Sequence, residues 1–152
     1  MLSRAQKRLQ REYEEMIRHY SETFPLEIPD SDPNRMTWYV SFVGAEGSVY
    51  AGERYTLEFK FSDSYPIEAP DVIFKGAYPH HQHVYSNGYI CLSILYDDWS
   101  PSMKVSSVVM SIQSMLSSAT QKSRPTNDAS FISYAGGRSP KTFNWIFEDE
   151  KC

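Results

Sequence analysis

Cysteine is scarce in this chain. Only Cys91 and Cys152 occur among its 152 residues, too few for the disulfide framework of a small secreted scaffold. The opening stretch, MLSRAQKRLQREYEE, has no apolar core of a signal peptide. Both observations point to a reducing compartment, cytoplasmic or nuclear, in which Cys91 stays a thiol. Long apolar runs are missing as well: none approaches the roughly 20 residues that span a bilayer. Positive charge is not in excess. A net charge of -4 is the wrong balance for a general nucleic-acid binder, which is usually basic. There is no internal repeat. What remains is a chain of ordinary apolar and charged content, long enough for one domain around a single core.

What is present has clear periods. Up to residue 20 the chain reads as an amphipathic helix, with Ser3 as its cap and Gln6 as the capping-box partner. Ala5, Leu9, Tyr13, Met16, Ile17 and Tyr20 recur at helical spacing and face the core. Arg4, Lys7, Arg8 and Arg11 form a basic stripe on another face, which taken alone is a solvated surface. The prolines of PLEIPDSDPN break the helix and allow only a short edge strand near Leu26 to Ile28. Met36, Trp38, Val40 and Phe42 then alternate, as do Tyr55, Leu57, Phe59 and Phe61, and each set marks a half-buried strand. SYPIEAP is a rigid loop, and DVIFK a fourth strand. The turns between strands are short enough for an antiparallel meander.

From about residue 76 to 100 there is little period of either kind. A loop of that length inside a compact domain is usually functional or disordered, and its Val, Ile, Leu and Trp content argues against disorder. After it, Val105, Val108, Val109, Ile112, Met115 and Leu116 form a helical stripe, with Ser100 or Ser102 as the cap. This is the central helix on the sheet. The order of helix, strands, long loop and helix is an α+β pattern. The tail, SFISYAGGRSPKTFNWIFEDEKC, has no sustained period. It is open from sequence whether residues 126–152 form a helix, stay mobile or shape a groove.

The long loop contains HHQHVYSNGYICLSILYDDWSP. His80, His81, His83 and Cys91 look like a metal set, but their spacing matches no zinc pattern and no second Cys/His pair follows. No metal is expected. Cys91 beside the SNG turn is either a reactive thiol or a small buried hydrophobe, and its immediate neighbours leave both open.

Larger motifs carry more. VYSNGYICLSIL followed by DDWSPSMKVSSVVMSI, with YAG at 50–52 and YPIEAP at 65–70, resembles the ubiquitin-conjugating enzymes. The resemblance runs over roughly residues 3 to 125. It implies that family's fold: N-terminal helix, four-stranded antiparallel meander, active-site loop, central helix and here an atypical C-terminal tail. In the family a His-Pro-Asn motif precedes a catalytic cysteine. Here His81 takes the His position, Gln82 replaces the Pro and His83 replaces the Asn. The acidic residue the family often carries after the central helix is replaced by Ser123, between Lys122 and Arg124. These departures and the Trp145-containing tail resemble the W-type branch, which is directed to protein N-termini rather than lysines.

The resemblance implies roles for particular residues. Cys91 would accept the ubiquitin C-terminus as a thioester from the activating enzyme. His81 would brace the loop, and His83 would either donate to the oxyanion or prop the main chain. Arg4, Lys7, Arg8 and Arg11 would meet the activating enzyme. Pro66, Ile67, Trp99, Ser100, Pro101 and Ser102 would meet a RING or U-box ligase, and Ser107 and Met110 would carry donor ubiquitin. No cofactor is expected to be bound, since ATP is used by the activating enzyme. The expected substrates are proteins with accessible N-termini, with no nucleic-acid or membrane partner. The charges of Lys122 and Arg124, without an acid beside them, would disfavour a cationic lysine as acceptor. Alternatives are a conjugating enzyme for another ubiquitin-like modifier, a non-catalytic ubiquitin-binding variant and a thiol protease.

Overall fold

The structure is a computed structural model in which residues 1–145 are described. Helix α1 spans Arg4–Tyr20. The Ser3 hydroxyl accepts the Gln6 N–H at 3.1 Å, and the Gln6 side chain accepts the Ser3 N–H at 3.0 Å. These reciprocal bonds satisfy two of the amides that a helix start leaves open. Ala5, Leu9, Glu12 and Met16 are its buried face. Ile17, expected in the core, is 44% exposed. Each residue turns the helix by about 100°, so Ile17 falls outside a stripe already set by Met16.

Four strands follow: β1 (Leu26–Glu27), β2 (Thr37–Val43), β3 (Arg54–Lys60) and β4 (Asp71–Lys75). They lie in sequence order and pair antiparallel throughout, a meander as expected. Trp38, Val40 and Phe42 stand opposite Phe59, Leu57 and Tyr55. This register puts these six apolar residues on one face, because side chains alternate along a strand. That face is covered by helix α2, Val105–Ser117, whose Val105, Val108, Val109, Ile112, Met115 and Leu116 are all buried. The other sheet face carries Glu58, which accepts from Tyr39 Oη at 3.2 Å and sits 3.7 Å from Lys75.

The cap of α2 is not Ser100 or Ser102. Lys104 holds the cap position, its N–H donating to Ser107 Oγ at 2.8 Å. The next amide, Val105 N–H, donates to Glu12 Oε1 of α1 at 2.8 Å. The second oxygen of Glu12 accepts from Arg8 Nε at 2.8 Å and from Tyr65 Oη at 2.5 Å. Arg8 also reaches Met103 O at 3.0 Å. One carboxylate thus joins α1, the start of α2 and the loop between β3 and β4. Burial and this anionic neighbour push the Tyr65 hydroxyl pKa well up, so it stays a donor.

The tail folds back on the loop. Helix α3 spans Asp128–Ala135 and a single 3-10 turn spans Pro140–Thr142. Phe131, Phe143 and Trp145 pack with Tyr85, Tyr89 and Ala135 into a second apolar cluster. Lys141 pairs with Glu68 at 2.5 Å and donates to Ala69 O at 2.8 Å.

Glu12→Ala leaves the Val105 amide, the Arg8 guanidinium and the Tyr65 hydroxyl without their shared acceptor. We expect it to cost about 3 kcal/mol, the scale of breaking a buried ion pair, read as a lowered denaturant midpoint. Glu12→Gln, which keeps an acceptor for the amide, should cost less.

Candidate functional site

The site is built on the chain between β4 and α2, a segment without regular period that is held by long-range bonds. At its base, Phe74 N–H donates to Gly88 O at 2.9 Å, and Ile73 bridges to Tyr89. Gly88 has φ +92°, and a Cβ there would lie 2.5 Å from Phe74 O. The position therefore takes only glycine, which is free to adopt this backbone and leaves room for the strand.

His81 is buried and spans two elements. Its Nδ1 accepts the His83 N–H at 2.9 Å, which places the ring proton on Nε2. Nε2 then donates to Met115 O of α2 at 3.1 Å. The Tyr50 ring lies 6.1 Å away, and its hydroxyl donates to His80 O. His83 is buried too, and its carbonyl accepts the Cys91 N–H at 2.8 Å. A continuous run of bonds therefore leads from α2 through His81 and the His83 main chain to Cys91. His80 and Gln82 are exposed.

Cys91 is 8% exposed. In this structure its sulfur is part of a disulfide, where sequence led us to expect a thiol. The compartment argument concerns the protein's surroundings and could not foresee what the fold brings to the sulfur. The other cysteine, Cys152, lies outside the described residues.

The basic pair after α2 also differs from expectation. Lys122 is 2.5 Å from Glu53 and lies over the Tyr50 ring. Glu53 is held below the ordinary carboxylate range, first by the hydrogen bond from Lys122 and next by that from Tyr55. Arg124 donates to Pro79 O, to Val84 O at 3.1 Å and to Tyr78 O at 3.0 Å. Neither cation is an unpaired charge facing an acceptor. Ser123 is half-buried between them.

The tail holds the other flank. Tyr85 Oη donates to Asn127 Oδ1 at 3.0 Å, and Ser86 N–H donates to Asp128 Oδ1 at 2.8 Å. Tyr85 stacks on Phe131 at 4.0 Å, and Tyr96 stacks on Trp145 at 4.8 Å. Trp145 Nε1 donates to Pro140 O at 2.8 Å.

The expected partner residues fall on two surfaces. Arg4, Lys7 and Arg11 are exposed along α1, whereas Arg8 turns inward to Glu12 and Met103. Ile67 is 75% exposed on the loop before β4. Trp99 Nε1 donates to Pro66 O at 2.8 Å, which fixes that loop against the Trp99–Ser102 segment. Pro101 and Ser102 are exposed, and Ser100 Oγ lies 2.9 Å from Ser102 Oγ. Met110 is exposed on α2, and Ser107 is spent on that helix's cap. Among the described residues, no group of three or more His, Cys, Asp or Glu side chains is arranged to hold a metal ion. Nor is any described helix long and apolar enough to cross a membrane.

The site is thus a cysteine in a loop braced by a helix-anchored histidine, ahead of a helix packed on a four-stranded meander. Comparison with known proteins is specific. The profile of the ubiquitin-conjugating enzyme family matches residues 8–145. The probable ubiquitin-conjugating enzyme E2 W of Dictyostelium discoideum is 48% identical, with 99% of each chain covered. The E2 W of Caenorhabditis elegans is 40% identical, again with 99% of each covered. The crystal structure of the E2 UbcA1 of Agrocybe aegerita superposes with a TM-score of 0.83 at 36% identity, covering 92% of this chain and all 100% of that one. The chain belongs to the ubiquitin-conjugating enzyme family, whose members transfer ubiquitin in concert with activating enzymes and ligases.

Sequence reasoning missed Glu12, Asn127 and Asp128, and it saw Tyr50 only within a motif and Arg124 only as a charge. Their partners lie 30 or more positions away, so no local period marks them.

Gly88→Ala forces an L side chain into an unfavourable backbone region and against the Phe74 carbonyl. A loss of about 1–3 kcal/mol is expected in chemical denaturation, together with faster amide exchange at Phe74.

Proposed function

We propose that this enzyme carries ubiquitin on Cys91 and passes it to the N-terminal α-amine of substrate proteins. The disulfide of Cys91 is first opened by exchange with a cellular dithiol, which is oxidised in its place, and the Cys91 thiolate so released attacks the carbonyl of ubiquitin's C-terminal thioester on the activating enzyme. The activating enzyme's thiolate leaves, and the acyl group rests on Cys91 Sγ. A neutral amine then attacks that carbonyl, the Cys91 thiolate departs, and an amide remains. No bound cofactor is needed, because ATP is spent at the activating step. A RING or U-box ligase docks at Pro66, Ile67, Trp99, Ser100, Pro101 and Ser102, with Ile67 as the apolar anchor. The activating enzyme meets Arg4, Lys7 and Arg11. The sites of action are the cytoplasm and nucleus, and the product is a monoubiquitinated protein.

The choice of amine rests on proton availability. At pH 7.4 about 0.1% of a lysine amine is neutral, against roughly a fifth to a third of an α-amine. A lysine acceptor gains from a carboxylate that can take its proton. The observation that carries the α-amine reading is the engagement of Glu53. Lys122 and Tyr55 hold that carboxyl below its usual pKa, which makes it a poor base, and Ser123 supplies no other. An α-amine needs no such help.

Discharge of loaded enzyme onto a lysine-free peptide tests this. A free N-terminus should accept ubiquitin, and acetylation should abolish transfer. The rate should rise with pH and level off near the α-amine pKa of about 7.7–8.0. Equal discharge onto the acetylated peptide would sink the reading.

The His83 main chain links His81 to Cys91. His83→Ala keeps both bonds, so if the main chain alone carries the role, charging and discharge persist in that variant. Lost discharge with normal charging and stability would instead assign the imidazole to the oxyanion.

A further inference from the structure

We propose that Arg124 is the positioning residue of the loop, holding the main chain before Cys91 in the geometry that aminolysis requires. The inference rests on the reading of Cys91 as the acyl carrier. Between Tyr78 and Val84 the chain makes a tight excursion. Neither Gln82 nor His83, which follow His81, restricts backbone torsion as proline would. The excursion is closed by one side chain. Arg124 binds the carbonyls of Tyr78 and Pro79 where the chain enters and that of Val84 where it leaves.

Only a guanidinium suits this task. It is planar, permanently charged and presents several N–H donors in a fixed fork. A lysine ammonium is a point charge and cannot span both ends of the excursion with set geometry. The partners are neutral carbonyls, so the bonds are charge-assisted and strong. Arg124 is half-buried, which limits competition from water.

The clamp reaches Cys91 in two ways. Val84 N–H donates to His81 O at 3.0 Å, so the residue Arg124 holds also holds His81. Val84 in turn bridges to Ile90, the neighbour of Cys91. Loosening Val84 therefore loosens both supports of the sulfur: the His83–Cys91 bond and the Ile90 bridge. A displacement of about 1 Å in a reacting group can cost 100-fold in rate.

This role differs from repulsion of cationic amines by the Arg124 charge, and two variants separate them. Arg124→Lys keeps the charge and loses the fork, and Arg124→Gln loses both. Single-turnover discharge onto a free N-terminal peptide is measured against acceptor concentration, with thioester formation and melting temperature in parallel. We expect both variants to lower the maximal discharge rate about 10- to 100-fold. The half-saturating acceptor concentration should stay within about twofold, and charging should stay near that of the parent. Hydrogen exchange on the uncharged chain should quicken at His83, Val84 and Cys91 in both.

Parental discharge and exchange in Arg124→Lys would overturn the clamp and leave charge as the residue's role. A parallel fall in charging, melting temperature and discharge would overturn it in favour of general stabilisation. If the parent forms no thioester at Cys91, the proposed function fails, and the exchange measurement still decides whether Arg124 clamps the loop.

Discussion

A buried carboxylate has to be answered, and in this protein the answer organises the molecule. Glu12 is 3% exposed, and a carboxylate taken that far from water is tolerable only when hydrogen-bonded and paired. Its two oxygens meet an amide, a guanidinium and a phenol drawn from α1, α2 and the loop before β4. The first turn of α2 carries open N–H groups and a partial positive charge, where an anion is favourable. One open amide at the start of the central helix, that of Val105, is thus satisfied from a different helix. This fixes how α1 meets α2, and it also sets Tyr65 beneath the Pro66–Ile67 corner. The two loops proposed to meet a ligase are held by the same node, through Tyr65 on one side and Met103 on the other.

The loop bearing Cys91 obeys the same rule on a smaller scale. It has too little regular structure to satisfy its own main chain, and a buried main chain must find partners. It finds them in side chains: His81 for the His83 amide, Tyr50 for the His80 carbonyl, Arg124 across the excursion, and Asp128 for the Ser86 amide. None of the described buried side-chain polar atoms lacks a hydrogen-bond partner. Rigidity here comes from these cross-chain bonds, so the site can depart from a proline-stiffened motif and still hold one conformation.

How much of this was legible in the sequence follows from the range of each interaction. The strands declared themselves because Trp38, Val40 and Phe42 alternate, and α2 did because its apolar residues recur at helical spacing. Those signals are local and physical. The α2 start was misread because two serines satisfied the usual local rule, whereas Lys104 with Ser107 holds the cap and Glu12, 93 positions away, takes the next amide. Arg8 was grouped with its basic neighbours because spacing reveals a face but not whether a long side chain turns inward. The Lys122–Glu53 pair spans 69 positions and was likewise invisible. The loop's importance showed in its length and lack of period, whereas the cysteine's role came from motif resemblance alone. The aromatic tail was unreadable because Phe131, Phe143 and Trp145 follow no single period: they are gathered by Tyr85 and Tyr89 from elsewhere.

That second apolar cluster has a consequence for how the protein comes into being. A chain leaves the ribosome N-terminus first, and its parts fold as they emerge. The sheet and α2 are complete once residue 117 is out. Tyr85 and Tyr89 then still face water, and they are covered only when Phe131, Phe143 and Trp145 arrive. The region around Cys91 is therefore completed after the sheet and α2, by residues made later than both. Until then a nascent chain presents a folded core with an unfinished loop.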